Sequence, residues 1–304
     1  MIGGIVEIAD AGRHVSVHRG FVRVAEGGDE IGRVPLDDVT ALILSGPQTT
    51  LSKQLLVELA ERKAVIVTCG RNWHPVSLTL PFDAHFESAG ILHDQISARA
   101  PLKKRLWQHL VRVKIQNQST ILARHAPDHA AIAELSVLAR RVRSGDPENM
   151  EAQAARRYWP ALMGEEFRRD RFATDTNVHL NYGYTVLRAA MARAVCAAGL
   201  HPALGLHHHS RVNAFALVDD LIEPFRPLVD TIACELRDLG AAGDLNPERK
   251  RRLAAVLRQD LIGERGASPL VNCLACLAQS VATSLAKKSD ALVLPEFKLA
   301  DQLA

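Results

Sequence analysis

The sequence predicts an α+β protein: a small β-rich region over residues 1–86, then a larger all-α domain over residues 87–304. Three observations predict it. Residues 15–25, VSVHRGFVRVA, alternate apolar and polar side chains around Arg19–Gly20, the period of a half-buried hairpin. Beyond residue 87 the apolar side chains recur at three- and four-residue spacing, the period of helices with one buried face. The 304 residues are 47% hydrophobic but only 5% aromatic, and Ala and Leu dominate, which favours helix and supplies a sizeable core.

In the first region, Glu26 to Asp29 reads as a turn, and GRVPL and VTALIL as short strands. Ser45, Gly46 and Pro47 interrupt the pattern. Ser52 is placed to cap a helix through LSKQLLVELAERKA, with Leu55, Leu56, Leu59 and Ala60 on its core side. AVIVTC is a β-branched run, as in a buried strand. A turn from Asn72 to Pro75 leads to another strand, VSLTL, and Pro81 and Phe82 open a linker.

In the second region the helical segments are IQNQSTILARH, AAIAELSVLARRVRSG, QAARRYWPALMGEEF, VHLNYGYTVLRAAMARAVCAAGL, TIACELRDLG, ERKRRLAAVLRQDLIG and LVNCLACLAQSVATSLAKK. Gly145, Gly199, Gly240 and Gly263 fall near their ends, as C-cap glycines do. From Asp290 the chain reads as a weakly ordered tail, with Leu292, Val293, Leu294 and Phe297 available to dock.

Composition excludes some classes. Cys69, Cys196, Cys234, Cys273 and Cys276 are odd in number and irregular in spacing, so they form no disulfide framework. Cys273 and Cys276 lack a second pair and read as small buried hydrophobes, not zinc ligands. MIGGIVEIAD has neither the basic region nor the long apolar run of a signal peptide. The longest apolar candidate, residues 178–200, carries Arg188 and Arg193, so no membrane span is expected, and the protein is expected to be cytoplasmic.

One stretch carries most of the chemistry: residues 199–230, GLHPALGLHHHSRVNAFALVDDLIEPFRPLVD. His207, His208 and His209 are followed by Asp219, Asp220 and Glu223. Imidazole and carboxylates together bind a divalent cation by replacing part of its water shell. Asp220 and Glu223 share one face of the expected helix, and Pro224 should stop or kink it at Glu223. Taken singly, an Asp–Asp pair is ordinarily a solvated face, and a run of histidines ordinarily a polar turn. The order of the whole stretch is what points to a site.

A net charge of +3 is too small to identify a nucleic-acid binder, but positive charge is clustered. Lys103, Lys104, Arg105, Arg112 and Lys114 form one group, and Arg140, Arg141 and Arg143 a second. Arg168, Arg169 and Arg171 form a third, and Arg249, Lys250, Arg251 and Arg252 a fourth. Each alone is ordinarily a solvated helix face. Four in one helical domain favour contacts with DNA phosphates over base reading.

Glu151 opens a helix after Gly145, Pro147 and Asn149, an ordinary place for an acid near a helix dipole. Its surroundings, SGDPENMEAQAARRYW, resemble the S-G-D-x-x-N-x-E-x-x-A-A-R-x-Y segment of the CRISPR-associated adaptation integrase, the universal spacer-acquisition endonuclease. LNYGYTVLRAAMARAVCAAGLHPALG resembles that family's helix and turn before its metal histidine, and DLIEPFRPLVD its acidic segment. LILSGPQTTLSKQLLVELAERKAVIVTC and HPVSLTLP resemble its amino-terminal β domain. The resemblance runs from about residue 15 to residue 235 and is strongest to members from type II systems.

The resemblance implies a β-rich dimerisation domain over residues 1–86 and an α-helical, metal-dependent catalytic domain over residues 87–304. It implies a homodimer, two of which flank a small dimeric adaptation partner in a heterohexamer. It implies Mg²⁺ or Mn²⁺ held by Glu151, His208 and Glu223, with Asp220 matching an extra acid one turn earlier. The family pattern Gly-Phe-x-His is here Gly205-Leu206-His207-His208, with His209 following, so the register of the histidine is open. The implied reaction on double-stranded DNA is transesterification: a fragment's 3′-hydroxyl attacks a phosphodiester of a repeat array, and the fragment becomes a new spacer. Two other readings stay open, a structure-specific metal-dependent repair nuclease and a non-enzymatic helical DNA-binding scaffold.

Overall fold

A computed structural model describes residues 4–70, 75–79, 81, 86–241, 243–263 and 266–299. The chain opens with β1 (Gly4–Ile8), β2 (His14–His18), β3 (Phe21–Glu26) and β4 (Asp29–Pro35). Arg19 and Gly20 both take positive φ, 49° and 81°, as a two-residue hairpin between β2 and β3 requires. Gly27 and Gly28 do the same between β3 and β4. β5 (Val39–Leu44), β6 (Thr50–Leu51), α1 (Lys53–Glu61), β7 (Val65–Cys69) and β8 (Pro75–Thr79) follow. Ser52 caps α1 by accepting from the Leu55 N–H at 3.2 Å. Leu55 and Leu59 are buried as expected, but Leu56 and Ala60 are exposed, because only a narrow stripe of this short helix meets the sheet. The expected turn from Asn72 lies outside the described residues, as does Phe82 of the linker.

The strands form two sheets, ordered β1-β5-β7-β8 and β4-β3-β2-β6. β1, β5 and β7 are parallel, so each connection crosses over, one through the whole β2–β4 ribbon and one through α1. β5 and β7 are buried on both faces. Leu42 and Ile66 join Val15, Val22, Leu55 and Leu59 on one side. Ala41, Ile43, Val65 and Val67 face the other way and belong to the core of the helical part. The Glu7 carboxylate adds polar ties, accepting from Tyr182 Oη at 2.7 Å and Lys250 Nζ at 2.8 Å.

The helical part comprises α2 (Ser88–Ser97), α3 (Ala100–His125), α4 (Ala131–Arg141), α5 (Met150–Met163), α6 (Asn177–Ala197), α7 (Ala216–Ile222), α8 (Arg226–Asp238), α9 (Pro247–Ala254) and α10 (Leu270–Lys287). α3 and α6 run through its centre and are buried along most of their length. This part is not purely helical. RQDLIG leaves the helical pattern: a 3-10 turn ends at Arg258, and β9 (Asp260–Gly263) pairs antiparallel with β10 (Gly266–Pro269) and β11 (Glu296–Leu299). Gly263 therefore ends a strand and not a helix, whereas Gly145, Gly199 and Gly240 have the positive φ expected. The tail docks: Leu292 and Leu294 pack on the core and Phe297 is buried. Cys273 is buried but Cys276 is exposed. Among the described residues, α10 alone is long and apolar enough to cross a membrane, and most of it is buried inside the fold.

Two packing devices fix the helices that carry the site. Gly183 of α6 lets α8 approach so closely that a Cβ there would stand 2.3 Å from Val229 Cγ1. Asp230 of α8 accepts from Tyr158 Oη of α5 at 3.1 Å and from Tyr184 Oη of α6. Burial pushes the Asp230 carboxyl up to about 7, against the pull of those two hydroxyls. Two outcomes follow. Gly183→Ala should destabilise the fold by about 1–3 kcal/mol in urea denaturation, the usual cost of overpacking. Because the native state holds the Asp230 proton more tightly than the unfolded chain does, Asp230 makes stability fall as pH rises from about 4 to about 7. Asp230→Asn should remove that slope, as unfolding measured across the same pH range would reveal.

Candidate active site

Glu151 is positioned by the turn before α5. Gly145, at φ 79°, lies against the Lys104 side chain, and its N–H donates to the Lys104 carbonyl at 2.9 Å, tying the turn to the start of α3. Asp146 accepts from the N–H groups of Met150 at 2.8 Å and Glu151 at 3.0 Å. Asn149, at φ 53°, accepts from Ala152 N–H at 3.2 Å. The S-G-D-x-x-N-x-E spacing is thus a capping device that leaves Glu151 in the first turn with its carboxylate free to face α3.

The histidine turn is held from two sides. The buried Gln95 amide of α2 donates to the carbonyls of His201 and Leu204 at 2.9 Å each, and accepts from His201 N–H at 2.8 Å. From α7, the fully buried Asp220 carboxylate accepts from the N–H groups of Leu206 at 2.7 Å, His207 at 3.0 Å and His208 at 3.4 Å. It also accepts from His208 Nδ1 at 2.5 Å. Gly205 is required here, since a Cβ would lie 2.5 Å from the His208 carbonyl oxygen. His207 stacks flat on Trp107 of α3, with centroids 4.4 Å apart, and His208 meets the same ring edge-on at 5.7 Å.

Glu223 stands where the helix breaks. α7 ends at Ile222, Glu223–Phe225 form a 3-10 turn, and α8 begins at Arg226, as Pro224 dictates. The Pro224 carbonyl accepts from the Asn117 amide of α3 at 2.8 Å. One helical turn away on α3, Lys114 is buried. Its ammonium lies 2.5 Å from Glu151 Oε1 and 2.5 Å from Glu223 Oε2. Arg226 Nε is 3.1 Å from Glu223 Oε1.

The electrostatics follow from these contacts. Burial alone raises the Glu223 carboxyl, but Arg226 and Lys114 more than offset it and hold it below the ordinary carboxylate range. Burial works against the Lys114 charge, and Glu223 and Glu151 outweigh it, so its pKa is raised. The Asp220 hydrogen bond raises His208, with further help from the charges of Glu223 and Glu151. His207 moves the other way, lowered by burial and by His208. A cleft of about 300 Å³ opens beside the site, lined in part by His208, Glu223, Arg226, Arg188 and Arg169.

The structure therefore brings Glu151 and Glu223 together around Lys114 and places His208 near both. Asp220 is spent on the turn, and Asp219 on a two-pronged pair with Arg188, both contacts 2.8 Å. Among the described residues, no three His, Cys, Asp or Glu side chains converge as a ready-made metal cluster. The donor types nevertheless suit a hard divalent cation, with two carboxylates around a point now neutralised by an ammonium and one imidazole nearby. Glu223 Oε2 is buried and takes no directed hydrogen bond.

Of the basic residues, Lys104 and Arg105 are exposed near the start of α3 and Lys103 is half-buried; Arg140 and Arg141 are exposed at the end of α4. Arg141 pairs with Glu148 at 3.6 Å, Arg168 is exposed, and Arg169 is held in the cleft by Asn177 and Asn181 at 2.8 and 2.7 Å. Lys114 departs from the expectation: it is no surface cation.

Residues 6–260 match the family model described as CRISPR associated protein Cas1. The chain belongs to the Cas1 family. This Cas1 chain is 41% identical over 256 residues to a CRISPR-associated endonuclease Cas1 from Neisseria meningitidis serogroup C (strain 8013), covering 84% of this chain and 83% of that one. Its fold resembles a casposase bound to integration product, with TM-score 0.79, 18% identity, and 95% and 92% of the two chains covered. It also resembles a chain of a Cas6-RT-Cas1–Cas2 complex, with TM-score 0.78, 19% identity, and 98% of this chain but 36% of that one covered.

Sequence reasoning missed Lys114, Gln95 and Trp107 of this Cas1 site. The available signal was polar residues recurring on an otherwise apolar helix, as Lys114, Asn117 and Gln118 do. Asp220→Asn should return the His208 pKa toward its ordinary 6.5. Histidine proton NMR through a pH titration checks this, and an unshifted His208 would show that Asp220 does not hold the ring.

Proposed function

We propose that this Cas1 chain, a CRISPR-associated endonuclease and integrase, performs its chemistry where Glu151 and Glu223 face one another beside His208. The observation that carries the reading is that two acids, far apart in sequence and on different elements, aim one oxygen each at a single cation position. Glu151, Glu223 and His208 would hold Mg²⁺ or Mn²⁺ there, and the bound ion supplies a Lewis acid that favours an alkoxide and offsets phosphorane charge. The protein's own part is placement. Asp220 fixes the His208 ring through Nδ1, which leaves Nε2 as the nitrogen with a lone pair. Asn117 fixes the turn that carries Glu223, and Asp146 and Asn149 fix the start of α5.

The reaction is an exchange of phosphodiesters in a repeat array. A fragment's 3′-oxygen bonds to phosphorus and loses its proton, while the target's own 3′-oxygen leaves and gains one. Water in place of the hydroxyl gives hydrolysis with the same groups. Double-stranded DNA would lie along the half-buried Lys103 and the exposed cations Lys104, Arg105, Arg140, Arg141 and Arg168 and enter the cleft at Arg169. Homodimers joined through residues 1–86, two of which flank a small dimeric partner in a heterohexamer, fit a fold whose neighbours include a chain of the Cas6-RT-Cas1–Cas2 complex.

The experiment is integration of a labelled fragment into a supercoiled repeat-bearing plasmid with Mn²⁺. Glu151→Gln, His208→Ala and Glu223→Gln should each abolish joined products while DNA binding persists, and combining them should cost nothing more. Nicks without joining would favour the repair-nuclease reading. Salt-sensitive binding with no product, indifferent to chelator, would favour the scaffold.

A further inference from the structure

The cation position between Glu151 and Glu223 is already filled by this chain's own Lys114. Its ammonium is 2.5 Å from one oxygen of each acid, so those oxygens are at most twice that distance apart. A small divalent ion bridging the same two oxygens at about 2.0–2.1 Å would sit where the ammonium sits. Two cations cannot occupy that one position. The surroundings sharpen the conflict. Glu223 has Arg226 on its other oxygen, at 3.1 Å. Lys114 and Arg226 together already neutralise Glu151 and Glu223. An ion with two more positive charges, arriving while Lys114 stays, would face an ammonium across a largely buried site.

We infer that Lys114 is a resident competitor. It keeps the two acids paired and the buried site neutral without metal, and it must leave the inner oxygens for a divalent cation to bind. The inference rests on the reading of Glu151 and Glu223 as the metal-holding acids. It assigns to α3 a role in setting metal affinity that is separate from contact with DNA.

Three consequences can be measured without any turnover. Lys114→Met, close in length but uncharged, should bind Mn²⁺ at least about tenfold more tightly than wild type by calorimetry. Lys114→Arg, which keeps the charge, should show no such gain. In chelator, Lys114→Met should melt below wild type, because Glu223 loses a partner while buried, and Mn²⁺ should raise its melting temperature by more than it raises that of wild type. Unchanged or weaker Mn²⁺ binding in a folded Lys114→Met protein overturns the inference. Should that variant fail to fold, the wild type decides: Mn²⁺ should increase acetic anhydride labelling of Lys114, read by mass spectrometry, and unchanged labelling overturns it. Glu151→Gln and Glu223→Gln separate the two ideas. If they weaken Mn²⁺ binding while Lys114→Met does not strengthen it, only the competitor fails. If they leave Mn²⁺ binding untouched, the site reading fails first.

Discussion

The helical part is built around a balance of buried charge. Glu223 is almost fully buried, and an isolated carboxylate there would cost several kcal/mol. Lys114 and Arg226 remove that cost only if three elements keep register: the middle of α3, the first turn of α5 and the break between α7 and α8. Asn117 sits one turn from Lys114 and holds the carbonyl of Pro224. The same helix face therefore fixes both the charge of Glu223 and the backbone that carries it. A shift of α3 by one residue would unpair both at once.

Around this balance, the backbone is shaped by side chains acting as caps. Asp146 and Asn149 take the loose N–H groups of α5, Gln95 ties the turn after α6, and Asp220 gathers three N–H groups of the histidine turn. Asp220 shows how composition alone misleads. It is an acid beside a candidate metal site, yet its oxygens are committed to Leu206, His207 and His208. Its negative charge is spent on the turn and on the imidazole it orients.

What could be read from the sequence was whatever a short window contains. The β2–β3 hairpin, the Ser52 cap and the break at Pro224 are each set by neighbouring residues, and each stands as expected. The parallel pairing of β1 with β5 is not of that kind, because its partners are separated by the whole β2–β4 ribbon. The strand at Asp260 was hidden in a run that looks helical until its pairing with Glu296–Leu299 is known. Lys114 was hidden for another reason. A lysine two residues from an arginine looks like part of a solvated basic cluster, and only the folded contacts with Glu151 and Glu223 show that it points inward.

The three histidines show how a fold resolves what a sequence leaves open. His207 lies flat on Trp107, which uses the face of its ring, and burial and the neighbouring His208 lower its affinity for a proton. His209 is exposed. His208 alone donates through Nδ1 to a buried carboxylate, and that hydrogen bond selects the tautomer with a lone pair on Nε2. A cation needs such a nitrogen, held still and made more basic. What sets His208 apart from its two neighbours is therefore Asp220, together with Gly205, whose missing Cβ lets the turn close over that acid.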